Sequence, residues 1–105
     1  MKKIYQKLVR DRVPEIIEKD GKDFEVYQES GARLRDYAMR KLQEEVMEFV
    51  ENPCAEKAAD VMEIMNFICH RGGIYSHTIV AEATSKRIEC GGFDMGIILD
   101  WVEEE

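Results

Sequence analysis

The sequence predicts an all-α fold: a helical hairpin at the core of an antiparallel bundle of about four helices, completed by oligomerisation. Three observations lead there. Apolar residues recur at helical spacing from Leu34 to Phe49. Glycine and proline punctuate the chain at Pro14, Gly21, Pro53, Gly72-Gly73 and Gly91-Gly92, dividing it into helix-length segments. The one alternating stretch, Asp23 to Gln28, is too brief to build a sheet alone. A chain of 105 residues suits one domain, 1–105. It lies near the lower end of what buries a core unaided, so association between copies would help it.

The elements follow in order. Pro14 opens a short first helix, Ile16 and Ile17 supply its apolar contacts, and Gly21 ends it. Asp23 to Gln28 is a short extended segment. Ser30 can cap a long second helix that runs to about Glu51. Asn52-Pro53 forms the break, with Asn52 capping a third helix, Pro53 at its first position and Gly72-Gly73 closing it. Ser76 begins a fourth helix that stops at Gly91-Gly92. The remaining stretch, Phe93 to Glu105, holds Ile97, Ile98, Leu99, Trp101 and Val102, and is expected to pack on a neighbour within the chain or across a subunit interface.

Composition narrows the functional classes. A net charge of −7 argues against a nucleic-acid polymer as partner, since that binding relies on clustered lysine and arginine. No apolar run approaches the ~20 residues that cross a membrane. The opening, Met1-Lys2-Lys3-Ile4-Tyr5, lacks the apolar stretch of a signal peptide. Cys54, Cys69 and Cys90 are odd in number and widely spaced, which suggests free thiols in a reducing cytoplasm rather than a disulfide framework or a zinc site. The expected localisation is therefore cytoplasmic.

The informative feature is acidic. At about 100° per residue, Leu34, Tyr37, Ala38, Leu42, Val46 and Phe49 define one apolar sector of the second helix, and Glu45 falls inside it. Glu48 lies one turn on, at i+3. A charged carboxylate in an apolar stripe costs several kcal/mol unless a cation, a basic side chain or a proton compensates it. The third helix carries Glu56, Asp60 and Glu63 along one stripe, with Ala55, Ala58, Ala59, Met62, Met65 and Cys69 opposite. The short break makes helices two and three an antiparallel hairpin. A rise of about 1.5 Å per residue puts Glu45 and Asp60 at similar heights above the turn, so Glu45, Glu48 and Asp60 can converge. Three such charges repel by ~3 kcal/mol per pair at an effective dielectric of 20, and a divalent cation reverses the sign. An all-oxygen carboxylate set suits Mg²⁺, or Mn²⁺, and Mg²⁺ commonly binds substrate phosphates. The plainer alternative makes Glu44, Glu51 and Glu56 solvated helix charges and pairs Glu48 with Lys57 across the hairpin.

Four ordered blocks carry a resemblance. They are Tyr5 to Ile17 (YQKLVRDRVPEII), Lys41 to Glu48 (KLQEEVME), Ala59 to Glu63 (ADVME) and Gly91-Gly92-Phe93 with Gly96 to Leu99. Together they resemble a small branch of the MazG-like all-α nucleoside triphosphate pyrophosphatases, which include phosphoribosyl-ATP pyrophosphohydrolase. The resemblance implies Mg²⁺-dependent cleavage between the α- and β-phosphates of a nucleoside triphosphate, as in house-cleaning of non-canonical nucleotides. It implies metal ligation by Glu45, Glu48 and Asp60 and a catalytic role for Glu44 beside Glu45. It also implies a homodimer or homotetramer whose sites are completed by helix packing between subunits.

This chain departs from that pattern at two places. The position three residues before Asp60, where the family carries an acid, is Lys57. Glu56 and Glu63 each stand about one turn from Asp60 and either can supply the missing oxygen; the spacing Asp60-x-x-Glu63 in the branch favours Glu63. Cys90 stands where a basic residue is expected. Basic residues for the phosphates are Lys86 and Arg87, then Lys7 and Arg10. No Gly-x-x-x-x-Gly-Lys loop is present. The alternative reading is a non-catalytic relative, a helical oligomerisation or nucleotide-sensing module that lost a metal ligand at Lys57.

Overall fold

The structure is a computed structural model that describes residues 1–105. It contains four helices and no strand: α1 (Val13–Lys19), α2 (Gly31–Glu51), α3 (Ala55–Arg71) and α4 (Ser76–Cys90). The chain divides into two units, Met1–Gly72 and Gly73–Glu105. No helix is long and apolar enough to cross a membrane.

In the first unit, α1 stops where the sequence predicts. Gly21 adopts φ +73, its N–H donates to Glu18 O at 2.9 Å and Lys22 N–H donates to Ile17 O at 3.4 Å. Those two bonds form a Schellman motif, which satisfies carbonyls at the helix end and needs the left-handed backbone that glycine adopts without strain. Pro14 lies in the first turn. Ile17 is half-buried, whereas Ile16 is exposed. Asp23 to Gln28 has no regular secondary structure.

The tertiary core of this unit is the seam between α2 and α3. A connection of three residues, Asn52 to Cys54, folds the two helices back on one another. Asn52 caps the end of α2, its N–H donating to Glu48 O at 3.0 Å, and Cys54 rather than Asn52 is the N-cap of α3. Proline therefore sits in the turn, where its missing N–H breaks no helical bond. From α2, the buried and half-buried face carries Leu34, Ala38, Leu42, Glu45 and Phe49; of the sector expected from the sequence, Tyr37 is half-buried and pairs with Tyr27, and Val46 is exposed.

The α3 side differs from expectation. Val61, Ile64, Phe67 and Ile68 face inward, with Ile64 buried at the centre. Met62 is 64% exposed, Met65 is exposed, and Ala55 and Ala59 face solvent. Helical spacing permits either stripe. The β-branched and aromatic stripe removes more apolar surface from water than one built on alanines, so it wins the seam. Its choice turns Asp60 and Lys57 onto the flank of the seam as half-buried residues and leaves Glu56 and Glu63 outside.

The second unit consists of α4 and the segment after it. Ser76 is the first helical residue and Tyr75 the N-cap. Gly91 ends the helix with φ 83 and ψ −176, a conformation essentially confined to glycine. No residue of this unit is buried, and Phe93, Ile98 and Trp101 are all largely exposed.

Candidate functional site

Glu44, Glu45 and Glu48 present carboxylate oxygens that all lie within 4.8 Å of one another. Helical geometry explains the grouping: Glu45 points into the seam, and Glu44 and Glu48, four residues apart, line its flank one above the other. Glu45 is one of only three buried residues in the chain, with 9% of its side chain accessible. Its Oε1 accepts an ion pair from Lys41 Nζ at 3.1 Å, while its Oε2 is buried with no hydrogen-bond partner. The compensation demanded by Glu45 thus comes from a basic side chain, and it reaches one oxygen only.

Lys41, the counter-ion of Glu45, is not among the candidate residues that the sequence pattern singles out. It lies one turn before Glu45 on the same face, an i, i+4 spacing visible in the sequence. It also reaches Glu44 Oε1 at 3.3 Å. Burial pulls the Lys41 ammonium down, but hydrogen bonds to Glu45 and Glu44 outweigh it, and its pKa stands above the ordinary lysine value. Burial likewise pushes the Glu44 carboxyl up, and hydrogen bonds from Lys7 and Lys41 more than reverse this, leaving its pKa lowered. Glu44 is therefore held as a carboxylate.

The N-terminal segment supplies two of the four basic residues singled out in the sequence. Lys7 Nζ meets Glu44 Oε1 at 3.1 Å, and Arg10 Nη2 donates to Asp60 Oδ1 at 2.8 Å. One strand of irregular chain thereby ties to both helices of the hairpin. Asp60 is engaged by this arginine and is not among the three grouped carboxylates. Glu63 and Glu56 are exposed on α3. Lys57 Nζ stands 4.0 Å from Glu48 Oε1, which is the cross-hairpin pairing expected if both lie at the same height. Lys86 and Arg87 are exposed on α4, in the second unit. His70 and His77 are exposed, and the three cysteines are free thiols.

Beside the carboxylates, α2 and the N-terminal segment enclose a depression of about 220 Å³ lined by Tyr5, Gln6, Lys7, Tyr37, Arg40, Lys41 and Glu44. Tyr37 is fixed at its rim by a 2.7 Å contact between its hydroxyl and that of Tyr27.

No family model, curated protein or solved structure matches the chain.

The cluster can act in two ways. As it stands, three ammoniums (Lys7, Lys41 and Lys57) face three carboxylates, so charge is balanced. The unpartnered Glu45 Oε2 leaves one buried lone-pair set open to a cation or a donor. Its oxygen chemistry fits Mg²⁺ or Mn²⁺.

Removing Lys41 leaves Glu45 buried without its counter-charge. Lys41→Met is expected to cost about 3 kcal/mol in urea unfolding, and Lys41→Met with Glu45→Leu to recover most of it. The pH dependence has a defined sign. Glu44, with its lowered pKa, contributes stability above its ordinary 4.5 that is lost as pH falls through the folded value. Lys41, with its raised pKa, contributes stability below its ordinary 10.5 that is lost as pH rises through the folded value. Thermal melts across pH should show a plateau between these limits, and Glu44→Gln should flatten the acid limb.

Proposed function

We propose that the chain is a Mg²⁺-dependent nucleoside triphosphate pyrophosphohydrolase of the MazG-like type, releasing a nucleoside monophosphate and pyrophosphate. The observation that carries the reading is the Glu45 carboxylate: nine-tenths buried, grouped with Glu44 and Glu48, and left with one oxygen unpartnered. A buried lone pair of this kind costs free energy without functional return unless something binds it.

In this reading Glu45 and Glu48 would hold the metal; Asp60, which Arg10 engages, and Glu63, exposed on α3, would join them only as the resemblance implies. The metal, when bound, neutralises phosphate charge and polarises the α-phosphorus toward attack. Water adds to that phosphorus as the bond to the α–β bridging oxygen breaks, and pyrophosphate leaves with the bridging oxygen. Glu44 orients the water and takes its proton, a role for which its ionised state prepares it. Its lowered pKa makes it a weak base, so it serves chiefly by position. Lys7 and Arg10 bring positive charge to the edge of the cluster, where the phosphates of the substrate would lie. Lys86 and Arg87 are the further phosphate contacts of this reading.

A second reading is supported by the lysines. Lys57 beside Glu48, with Lys41 and Lys7, balances the cluster without a metal, as in a non-catalytic oligomerisation or nucleotide-sensing relative.

Pyrophosphate release from a panel of standard and modified nucleoside triphosphates with Mg²⁺ separates the two. Turnover is expected, and Glu45→Gln is expected to abolish it with the fold retained, because Lys41 keeps Glu44 as partner. Silence across the panel, with no Mg²⁺ binding by calorimetry, would leave only the second reading. Both readings place a second copy against the apolar residues the first unit leaves in solvent, Met47, Val50 and Met62 among them. Light scattering should therefore give a homodimer or homotetramer, and a monomer at all concentrations would count against that assembly.

A further inference from the structure

Arg40 is a cation without an acid. Each of its basic neighbours around the depression is committed: Lys7 to Glu44, and Lys41 to Glu44 and Glu45. Arg40 makes no ion pair, and its one hydrogen bond is a long 3.4 Å contact from Nε to the Asp36 carbonyl. Its guanidinium lies over the Tyr37 ring, 4.6 Å from the centroid, and the hydrogen bond it makes uses Nε, not the two terminal nitrogens. A planar fork of this kind suits bidentate binding of phosphate or carboxylate.

Across the depression stands Tyr5. The residue is 59% exposed, and Lys3 and Lys7 bring ammoniums to 5.0 and 5.6 Å of its ring centroid. The backbone holds it there through an unusual conformation: Gln6, the next residue, is the one non-glycine with positive φ, at 48. A glutamine in that region carries strain that surrounding contacts must hold in place. Here the Lys7–Glu44 pair does so, one residue on.

Size limits the occupant. Ligand pockets commonly span ~300–1,000 Å³, so the 220 Å³ here takes part of a nucleotide-sized ligand and leaves the rest of it in solvent. The lining comprises two tyrosines, three cations, one glutamine and one carboxylate already engaged by two lysines. That chemistry selects an anion joined to a planar apolar group.

We propose that this depression is a nucleotide subsite, in which Tyr5 stacks on the base and the free fork of Arg40 takes a phosphate. Its choice of ligand class rests on the nucleotide reading of the adjoining carboxylates. The N-terminal segment thereby becomes the specificity element, since the ring that meets the base sits on it rather than on a helix.

Isothermal titration of the full chain in EDTA with four nucleoside monophosphates, and with inorganic phosphate as the control, tests the subsite apart from catalysis. At least one monophosphate should bind, at least tenfold more tightly than phosphate. Tyr5→Ala and Arg40→Ala should each weaken it tenfold or more, with far-UV circular dichroism unchanged. Tyr5→Phe should retain binding, because stacking needs the ring and not the hydroxyl. Failure of every monophosphate to bind overturns the subsite, as does binding no tighter than phosphate or indifferent to both alanine variants. The two proposals fail separately. Metal-free binding that needs Tyr5, without pyrophosphate release under Mg²⁺, sustains the subsite and removes the hydrolase. Pyrophosphate release with a KM that neither alanine variant alters does the reverse.

Discussion

Lys41 meets Glu45 one helical turn away, and the α2–α3 seam closes around that pair. A charge at this depth would cost several kcal/mol alone, so the inward face of α2 is possible only because its own preceding turn supplies the counter-ion. The arrangement then propagates outward. Lys41 also reaches Glu44, Glu44 accepts Lys7, and Lys7 anchors the N-terminal segment against α2. Arg10 continues the same segment to Asp60 on α3. Local helix spacing, the hairpin seam and the position of an irregular segment are thus coupled through one chain of alternating charges.

The links differ in strength. The Lys41–Glu45 pair is shielded from solvent, whereas Arg10 and Lys7 remain substantially exposed. Exposed pairs are each worth little, so the N-terminal segment is held by several weak ties and not by a core. Such a segment opens at small free-energy cost. That property suits a region whose lysine and arginine sit on carboxylates that a cation would compete for, and whose tyrosine lines the neighbouring depression.

Apolar surface is the other unresolved balance in the molecule. Only Ala38 and Ile64 form a buried apolar core, while the methionine side of α3 and the whole of the second unit face solvent. A helix of fifteen residues such as α4 is marginal in water without tertiary packing. The chain therefore carries more apolar surface than its own seam uses, which is the physical ground for the association between copies proposed above.

Residue spacing alone determined the four helices, the end of the first at Gly21, the break around Pro53 and the anomaly of Glu45 within an apolar sector. These depend on local backbone preferences and on 3.6-residue periodicity, both written along the chain. The pairing of Glu48 with Lys57 followed from helix rise and a short turn. Tertiary structure decided which stripe of α3 enters the seam, because two apolar stripes share the helix and only packing ranks Ile64 and Phe67 above Met62 and Met65. That choice separated Asp60 from the three grouped glutamates and gave it to Arg10. It also decided the fate of the N-terminal cations, since contacts between residues 37 and 50 positions apart arise from chain reversal and not from any periodicity. The lone buried oxygen of Glu45 belongs to both accounts: its burial was legible in the pattern of α2, and its missing partner appeared only when the seam closed.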